Sequence, residues 1–472
     1  VAEGASRAAF GKVTPAIVEA LRAACGPAHV ITSVEERRPY GKDETEDLWF
    51  DPEVVVRPRT TEEISAVMRL ATQHRVPVTP RAGGTGLSGG ALPVRGGIVL
   101  SVDRMNSILE IDRENLVAVV EPGVITQRLQ EACEKVGLYY PPDPASRGSC
   151  TLGGNVAENA GGPHAAKYGV TKDFVLGLEA VLPDGGVVRP GGKLLKNRTG
   201  YSLAQLLVGS EGTLAVVTKI WFKLIPLPRV RRCMLVPFPS LETAAAGVSK
   251  IYQAGLYPSA LEFMEKEAIG LATRHLNIPV PGGDAEALLL VEFDGNREDA
   301  VEEELARAGE VCTEAGAIDC LLPEGPSKQE DLWKVRRAIG EAVKKTSVYK
   351  EEDTVVPRAA LPALVRGVKE ICAKAGVTVV CYGHAGDGNL HCNVLRMGMD
   401  EKSWNERLPG VVEEIFRLTV SLGGMISGEH GIGWSQRRYL PLALPPEEIA
   451  AMRAIKHAFD PLGILNPDKM LP

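Results

Sequence analysis

The 472-residue sequence contains no C-x-x-C pair; its nine cysteines stand singly at positions 25, 133, 150, 233, 312, 320, 372, 381 and 392. That spacing excludes a zinc ribbon or an iron–sulfur ligand run within this chain, and the scattered set reads as reduced, buried thiols. No apolar run reaches the length of a membrane-spanning helix, and the first residues lack a basic region followed by an apolar one. The expectation is a protein without a transmembrane segment and of cytoplasmic location, while the start at Val1 leaves a removed leader open. Excess positive charge is also missing: 53 Lys and Arg against 60 Asp and Glu give a formal net charge of −7. This speaks against a general nucleic-acid surface, and no nucleic-acid motif occurs. Internal repeats and low-complexity segments are absent. With 44% hydrophobic and 24% charged residues, the chain is of ordinary globular composition and long enough for two or more domains.

Glycine is plentiful, and it is clustered. Pro80-Arg81-Ala82-Gly83-Gly84-Thr85-Gly86-Leu87-Ser88-Gly89-Gly90 follows the apolar run Val76-Pro77-Val78-Thr79, so a strand leading into a glycine loop is expected. Such a loop turns sharply, lets backbone approach a ligand and aims N–H groups at an anion, here the diphosphate of a dinucleotide. Gly84 to Gly89 fits G-x-G-x-x-G, yet no amphipathic helix follows; Ile98-Val99-Leu100-Ser101-Val102 reads as another strand. A second cluster, Ser149 to Gly162, offers another backbone surface with Asn155 and Asn159 as amide partners, and two such surfaces suit a long ligand.

Together with Pro141-Pro142-Asp143-Pro144, Leu207-Val208-Gly209-Ser210-Glu211-Gly212-Thr213-Leu214 and two C-terminal motifs, these stretches resemble the FAD-linked oxidoreductases of the vanillyl-alcohol-oxidase/para-cresol-methylhydroxylase (PCMH) superfamily. The resemblance is to the branch containing the flavin-binding subunit of glycolate oxidase, FAD-linked D-lactate dehydrogenases and D-2-hydroxyglutarate dehydrogenase, and it runs from about Asp51 to the C-terminus. It implies an α+β fold: a PCMH-type FAD-binding domain, an α/β cap domain for substrate, and a C-terminal segment returning to the FAD domain. The expected divisions are 1–50, an accessory segment; 51–228, the FAD domain; 229–424, the cap; and 425–472, the return. The proline-rich Lys223 to Arg229 marks the main boundary. Pro15 to Ala24 reads as a helix, Glu35 to Asp47 as a solvated charged face, and Thr61-Glu62-Glu63-Ile64 as a capped helix start. In the cap, helices are expected within 251–264, 300–315 and 361–375, and strands at 287–293 and 377–382. Arg229, Arg231 and Arg232 read as solvent-exposed in preference to a site for an acidic partner.

By the same resemblance, FAD is held without a covalent tether by Arg81, Ala82, Gly83, Gly84, Thr85, Gly86, Ser88, Gly89, Pro142, Asp143, Ser146, Gly153, Gly154, Asn155, Ala157, Asn159, Gly161, Gly212, Thr213 and Asn389. The loop from Pro80 to Pro93 has neither His nor Cys to form a tether, and Cys150 reads as a packed thiol.

The chemistry concentrates in Gly383-His384-Ala385-Gly386-Asp387-Gly388-Asn389-Leu390-His391-Cys392-Asn393. A two-residue Asp387-Gly388 turn would set His384 directly opposite His391, close enough to share an ion, with Asn393 further along that face. Two histidines in a hairpin are as readily structural as metal ligands. Glu429, in Ser427-Gly428-Glu429-His430-Gly431, would complete a His-His-Glu set, and His430 beside it is a candidate base. The resemblance makes His384, His391 and Glu429 ligands of one divalent ion, zinc ahead of manganese or iron, and His430 the catalytic base. It assigns the substrate carboxylate to Arg336, with Arg337 as the neighbouring alternative, and adds Lys350 and Asn393 to the substrate pocket. Gly340 leaves no side-chain hydroxyl for a second carboxylate, which favours a small substrate.

The implied reaction is oxidation of glycolate or a small D-2-hydroxy acid such as D-lactate, with hydride to flavin and electrons passed to an acceptor other than NAD. D-2-Hydroxyglutarate oxidation is the alternative within the class; an electron-transfer subunit without substrate chemistry is the alternative outside it. The implied acceptors are a quinone, an iron–sulfur subunit or an electron-transferring flavoprotein, and a peripheral membrane association through a partner is left open. A homodimer is left open.

Overall fold

The computed structural model describes residues 9–472; residues 1–8, the start of the accessory segment, lie outside the described residues. Helix α1 (Pro15–Cys25) starts where Thr14 accepts from the Ile17 N–H, and it buries Ile17, Leu21 and Cys25. The first sheet holds β1 (Val30–Ile31), β2 (Val54–Val56), β3 (Val78–Arg81) and β4 (Ile98–Ser101) in the order β1-β2-β4-β3, with β2 and β3 parallel to β4. Helix α2 (Thr61–His74) crosses over this sheet and is capped by the Thr60 side chain, one residue before the expected position. A second sheet, β5 (Ile108–Asp112), β6 (Val117–Val120), β7 (Val175–Val181), β8 (Val187–Val188) and β9 (Val216–Lys223), runs in the order β5-β6-β9-β7-β8. Its antiparallel core strand β9 alternates buried and half-buried residues, as a sheet with one packed face requires.

The third sheet has six strands: β10 (Val230–Phe238), β11 (Ala260–Glu265), β12 (Ala287–Gly295), β13 (Tyr349–Val355), β14 (Thr378–Gly383) and β15 (Asn389–Leu395). Their order is β10-β12-β11-β14-β15-β13, and every pairing is antiparallel. Helices α3 (Leu241–Gln253), α4 (Glu298–Glu314) and α5 (Leu361–Ala375) cover one face and bury Phe238, Leu289 and Cys392. The 22-residue α6 (Gly325–Thr346) covers the other, packing its Trp333 and Ile339 into one cluster with Tyr382 of the sheet. The mixed helix and sheet architecture is the expected α+β fold.

Three expectations are corrected. The segment 251–264 is mostly not helical: α3 ends at Gln253, Gly255 turns at φ 79°, and after Pro258 the chain enters β11. The stretch Glu35 to Asp47 is not uniformly solvated, because Asp43 and Thr45 are buried and Glu46 lies 3.6 Å from Lys350. Of the three arginines, Arg231 is half-buried, stacked 4.7 Å over Tyr139, whereas Arg229 is exposed.

The C-terminal segment returns to the first sheet as expected. Leu465 bridges to Val78, and the Asn466 amide donates to the Gly90 and Glu211 carbonyls. The Lys469 ammonium donates to the Leu92 carbonyl, which ties this segment to both ends of the glycine loop. All nine cysteines are free thiols.

Candidate active site

The glycine loop leaves β3 and lines a cavity of about 250 Å³ that ends at Glu429 and His430. Among the described residues, the N–H groups of Gly83, Gly84, Thr85 and Gly86 donate to no protein acceptor, and the buried Ser88 hydroxyl also has no partner. A side chain at Gly86 would meet nothing within 4 Å, while Gly84 turns at φ 68° against the Arg81 guanidinium. A run of free donors around open space fits an anionic diphosphate. Of the residues expected to hold the cofactor, Arg81, Ala82, Gly83, Gly84, Thr85, Gly86, Ser146, Gly153, Gly154, Asn155, Ala157 and Gly212 line this cavity.

Others do not line it. Asn159 adopts a left-handed conformation and accepts from the Lys172 N–H, and the Thr213 hydroxyl donates to the Ser210 carbonyl. Asn389 donates to Asp353, while Ser88, Gly89 and Pro142 stand outside the wall. Asp143 is engaged elsewhere: its carboxylate lies 2.7 Å from Nδ1 of His164, whose Nε2 lies 2.9 Å from Glu292. Gly161 sits where a Cβ would come 3.1 Å from the Glu429 carboxylate, so its smallness lets the cofactor wall meet the metal-ligand candidates.

The histidine hairpin is built differently from expectation. Tyr382, not His384, pairs with His391, and the connection is a five-residue loop from His384 to Gly388. Gly388 closes it at φ 84°, where a Cβ would come 2.0 Å from the Val356 carbonyl oxygen. His384, just beyond the ladder, still swings toward His391, with ring centroids 5.4 Å apart. The His384 and His391 Nε2 atoms lie 3.2 and 3.5 Å from Glu429 Oε1. Ligands about 2.0–2.1 Å from a tetrahedral ion stand about 3.3 Å from one another, so this donor set fits a divalent metal.

Sequence reasoning missed the groups that hold this set. Glu262 faces His384 Nδ1 at 2.9 Å and the Arg336 guanidinium at 2.5 Å. Asp353 Oδ2 accepts from the Ser427 hydroxyl and the N–H groups of Gly428, Glu429 and His430, at 2.7–3.0 Å, and so shapes the loop carrying Glu429. Glu211 does the same for Ile432 and Gly433, each at 2.7 Å. Only a strand with an unusual density of acids, Glu351-Glu352-Asp353, signalled any of this in the sequence.

The electrostatics follow from burial and pairing. Burial opposes charge on His384, but Glu262 and Glu429 hold its pKa well above the usual histidine value. Burial would raise Glu429, yet His384 beside it brings it down to about 2. His391 falls to about 3, chiefly because it is buried and secondly because protonated His430 would repel its charge. His430, stacked on His391 at 5.1 Å, is pulled down by burial but raised overall by Asp353 and Glu351.

Arg336 is buried with its Nε unpartnered, and both amide atoms of buried Asn393 are unpartnered too. Asn393 and His391 share a sheet face with Glu351 and Asp353 by the β13–β15 register. Lys350 alternates to the opposite face, 3.6 and 3.7 Å from Glu46 and Glu352, so the structure does not bring it together with Arg336.

Comparison with known proteins gives the class. The chain matches the FAD binding domain family over residues 52–191 and the FAD linked oxidases C-terminal domain family over residues 227–470. It is 41% identical over 463 residues to glycolate oxidase subunit GlcD of Bacillus subtilis, covering 97% of each chain. It is 39% identical to the D-lactate dehydrogenase of Anaerostipes hadrus over 98% of each chain. Its fold matches p-cresol methylhydroxylase with a TM-score of 0.81 over 96% of each chain at 18% identity. The protein is an FAD-dependent oxidoreductase. It belongs to the FAD-linked 2-hydroxyacid dehydrogenases of the PCMH superfamily, with glycolate oxidase GlcD and D-lactate dehydrogenase among its relatives.

Proposed function

We propose that the protein oxidises glycolate or a small D-2-hydroxy acid such as D-lactate to the 2-oxo acid, with a divalent ion on His384, His391 and Glu429. The observation carrying this reading is that Glu429 belongs both to the His384-His391-Glu429 cluster and to the wall of the cofactor cavity, where His430 stands beside it. When bound, FAD supplies the hydride acceptor and the metal a Lewis acid that acidifies the substrate hydroxyl.

The chain's own residues do the rest. Arg336 Nε and the Asn393 amide are buried donors without partners, suited to the substrate carboxylate. His430 Nε2 is the acceptor for the hydroxyl proton, and Glu351 and Asp353 stabilise the imidazolium that results. Glu262 accepts from His384 Nδ1–H and thereby fixes the tautomer with Nε2 turned toward Glu429.

Gly340 offers no side-chain hydroxyl to a second carboxylate, which favours a short substrate. Lys350, committed to Glu46 and Glu352, is unsuited to binding a second carboxylate. We read 51–228 as the flavin domain, 229–424 as the cap and 425–472 as the segment closing the site. Electrons leave to a quinone or to an iron–sulfur or flavoprotein partner, from a protein of cytoplasmic location. Among the described residues no helix is long and apolar enough to cross a membrane.

The test is an anaerobic visible spectrum of the FAD- and metal-loaded protein before and after glycolate, D-lactate, L-lactate and D-2-hydroxyglutarate. Bleaching by glycolate or D-lactate, abolished by chelation and restored by metal, is expected. A spectrum unmoved by every acid would overturn the reading in favour of an electron-transfer subunit; bleaching by D-2-hydroxyglutarate alone would move the substrate to a dicarboxylate.

A further inference from the structure

The chain is acidic overall, yet 26 consecutive residues, 185–210, contain no Asp or Glu and carry four cations, Arg189, Lys193, Lys196 and Arg198. In the middle, every residue from Lys193 to Ser202 is exposed. Leu194, Leu195 and Tyr201 are 58%, 75% and 95% exposed, the last two being the most exposed of the large hydrophobic side chains among the described residues.

The stretch is anchored at its base. Arg189 pairs with Glu179 at 2.6 Å, and Lys193 pairs with Glu110 and Asp112 at 2.6 and 2.7 Å, across to the far edge strand of the second sheet. Beyond that anchor, Lys196 and Arg198 have no carboxylate partner among the described residues. The segment then leads into the short helix Leu203–Leu207, whose Leu207 is in the wall of the cofactor cavity.

Two adjacent leucines and a tyrosine, solvent-exposed on an irregular loop and interleaved with unpaired cations, gain nothing from water. Ordinary surface loops carry polar tips and mixed charge. Apolar side chains that enter an interface, bracketed by Lys and Arg that stay at headgroup level, are the composition of a peripheral membrane contact. The fit is electrostatic as well as apolar: a locally cationic loop on an anionic protein orients the molecule, loop first, toward a negative surface.

We propose that the loop 193–202 is a docking surface for an anionic lipid bilayer. Leu194, Leu195 and Tyr201 enter the interfacial region, and Lys196 and Arg198 pair with lipid phosphates. Binding is reversible and salt-sensitive, because two unpaired cations and three apolar side chains fall short of a permanent anchor.

The experiment is flotation of the FAD-loaded protein with vesicles of phosphatidylcholine alone or mixed with phosphatidylglycerol. The wild type is expected to float with the anionic vesicles and be released by about 0.5 M salt. K196E/R198E and, separately, L194S/L195S are expected to weaken that binding about tenfold or more. Flavin content and the thermal unfolding midpoint are expected to be unchanged, since these side chains touch no core. Equal binding to neutral and anionic vesicles, or binding insensitive to both variants, overturns the proposal. So does absence of vesicle binding, the result expected if an acidic protein is what covers this loop.

Discussion

Both carboxylate oxygens of Glu262 lie 2.9 Å from Nδ1 of His384, whose opposite nitrogen lies 3.2 Å from Glu429. The relationship comes from sheet register. Phe263 pairs with Gly383, and continuing that ladder by one step brings Glu262 opposite His384. Glu262→Gln is expected to keep the fold but weaken metal binding about 10- to 100-fold, because the imidazole loses its fixed tautomer and some basicity. Metal titration of the apoprotein followed by calorimetry checks this, and unchanged affinity would remove Glu262 from its positioning role.

In the proposed reaction His430 takes the hydroxyl proton. His430→Asn is expected to slow substrate-driven flavin reduction about 10²- to 10⁴-fold while FAD and metal contents stay at wild-type levels. Rapid mixing under anaerobic conditions gives the rate. The pH profile carries the second signature: His430 is raised above the usual histidine value, so the reduction rate falls in acid as the base becomes protonated and recovers through that raised pKa.

Gly86 tests the cofactor cradle. A Cβ at Gly86 meets no neighbour within 4 Å, so the Gly86→Leu apoprotein is expected to unfold at the wild-type temperature. Its side chain would take up cavity space, and FAD affinity is expected to drop more than about tenfold. Fluorescence titration with FAD reads this directly.

The loop carrying Glu429 depends on one buried acid. Asp353→Ala removes the acceptor for the Ser427 hydroxyl and three successive N–H groups. At about 1–3 kcal/mol for each unsatisfied group, the segment should open locally before the sheet does. Hydrogen exchange at 427–430 is expected to rise sharply, with exchange in the six-stranded sheet unaffected.

The seam between the flavin-binding part and the cap is held by His164 between Asp143 and Glu292. Burial opposes charge on His164, but Asp143 and its other partners raise it well above the usual value. Its contribution is therefore complete below about pH 6.5 and is lost as pH rises through the raised pKa. Burial would raise Glu292, yet His164 brings it down to about 2. That contribution is complete above about pH 4.5 and disappears as pH falls toward 2. Stability should be greatest between these limits, and His164→Gln, which removes the cation between Asp143 and Glu292 while Glu292 keeps the Ser259 hydroxyl and Trp333 N–H, is expected to cost about 3 kcal/mol in urea unfolding near pH 6.

The local grammar of the protein is readable from the chain alone. Glycine loops need backbone freedom that few residues supply, so the clusters holding 83–86 and 153–154, which line the cavity, stand out in the sequence. The helix at 361–375 and the strands near 287–293 and 378–382 follow from apolar periodicity, which is a property of neighbours along the chain. His384, His391 and His430, three of only eight histidines, stand in two short motifs, with Glu429 adjacent in the second.

What those motifs meet depends on packing in three dimensions. The Asp387-Gly388 pair suggested a two-residue turn, but the space under Val356 and the left-handed Gly388 favour a five-residue loop, which shifts the ladder from His384 to Tyr382. Strand parity turned Lys350 away from Arg336 and brought Glu351 to the site face, a distinction that one residue of register reverses. Glu262, Asp353 and His164 were invisible because a buried charge is recognised only by its partner. Those partners lie between 21 and 128 residues away in the chain, at distances that packing alone closes.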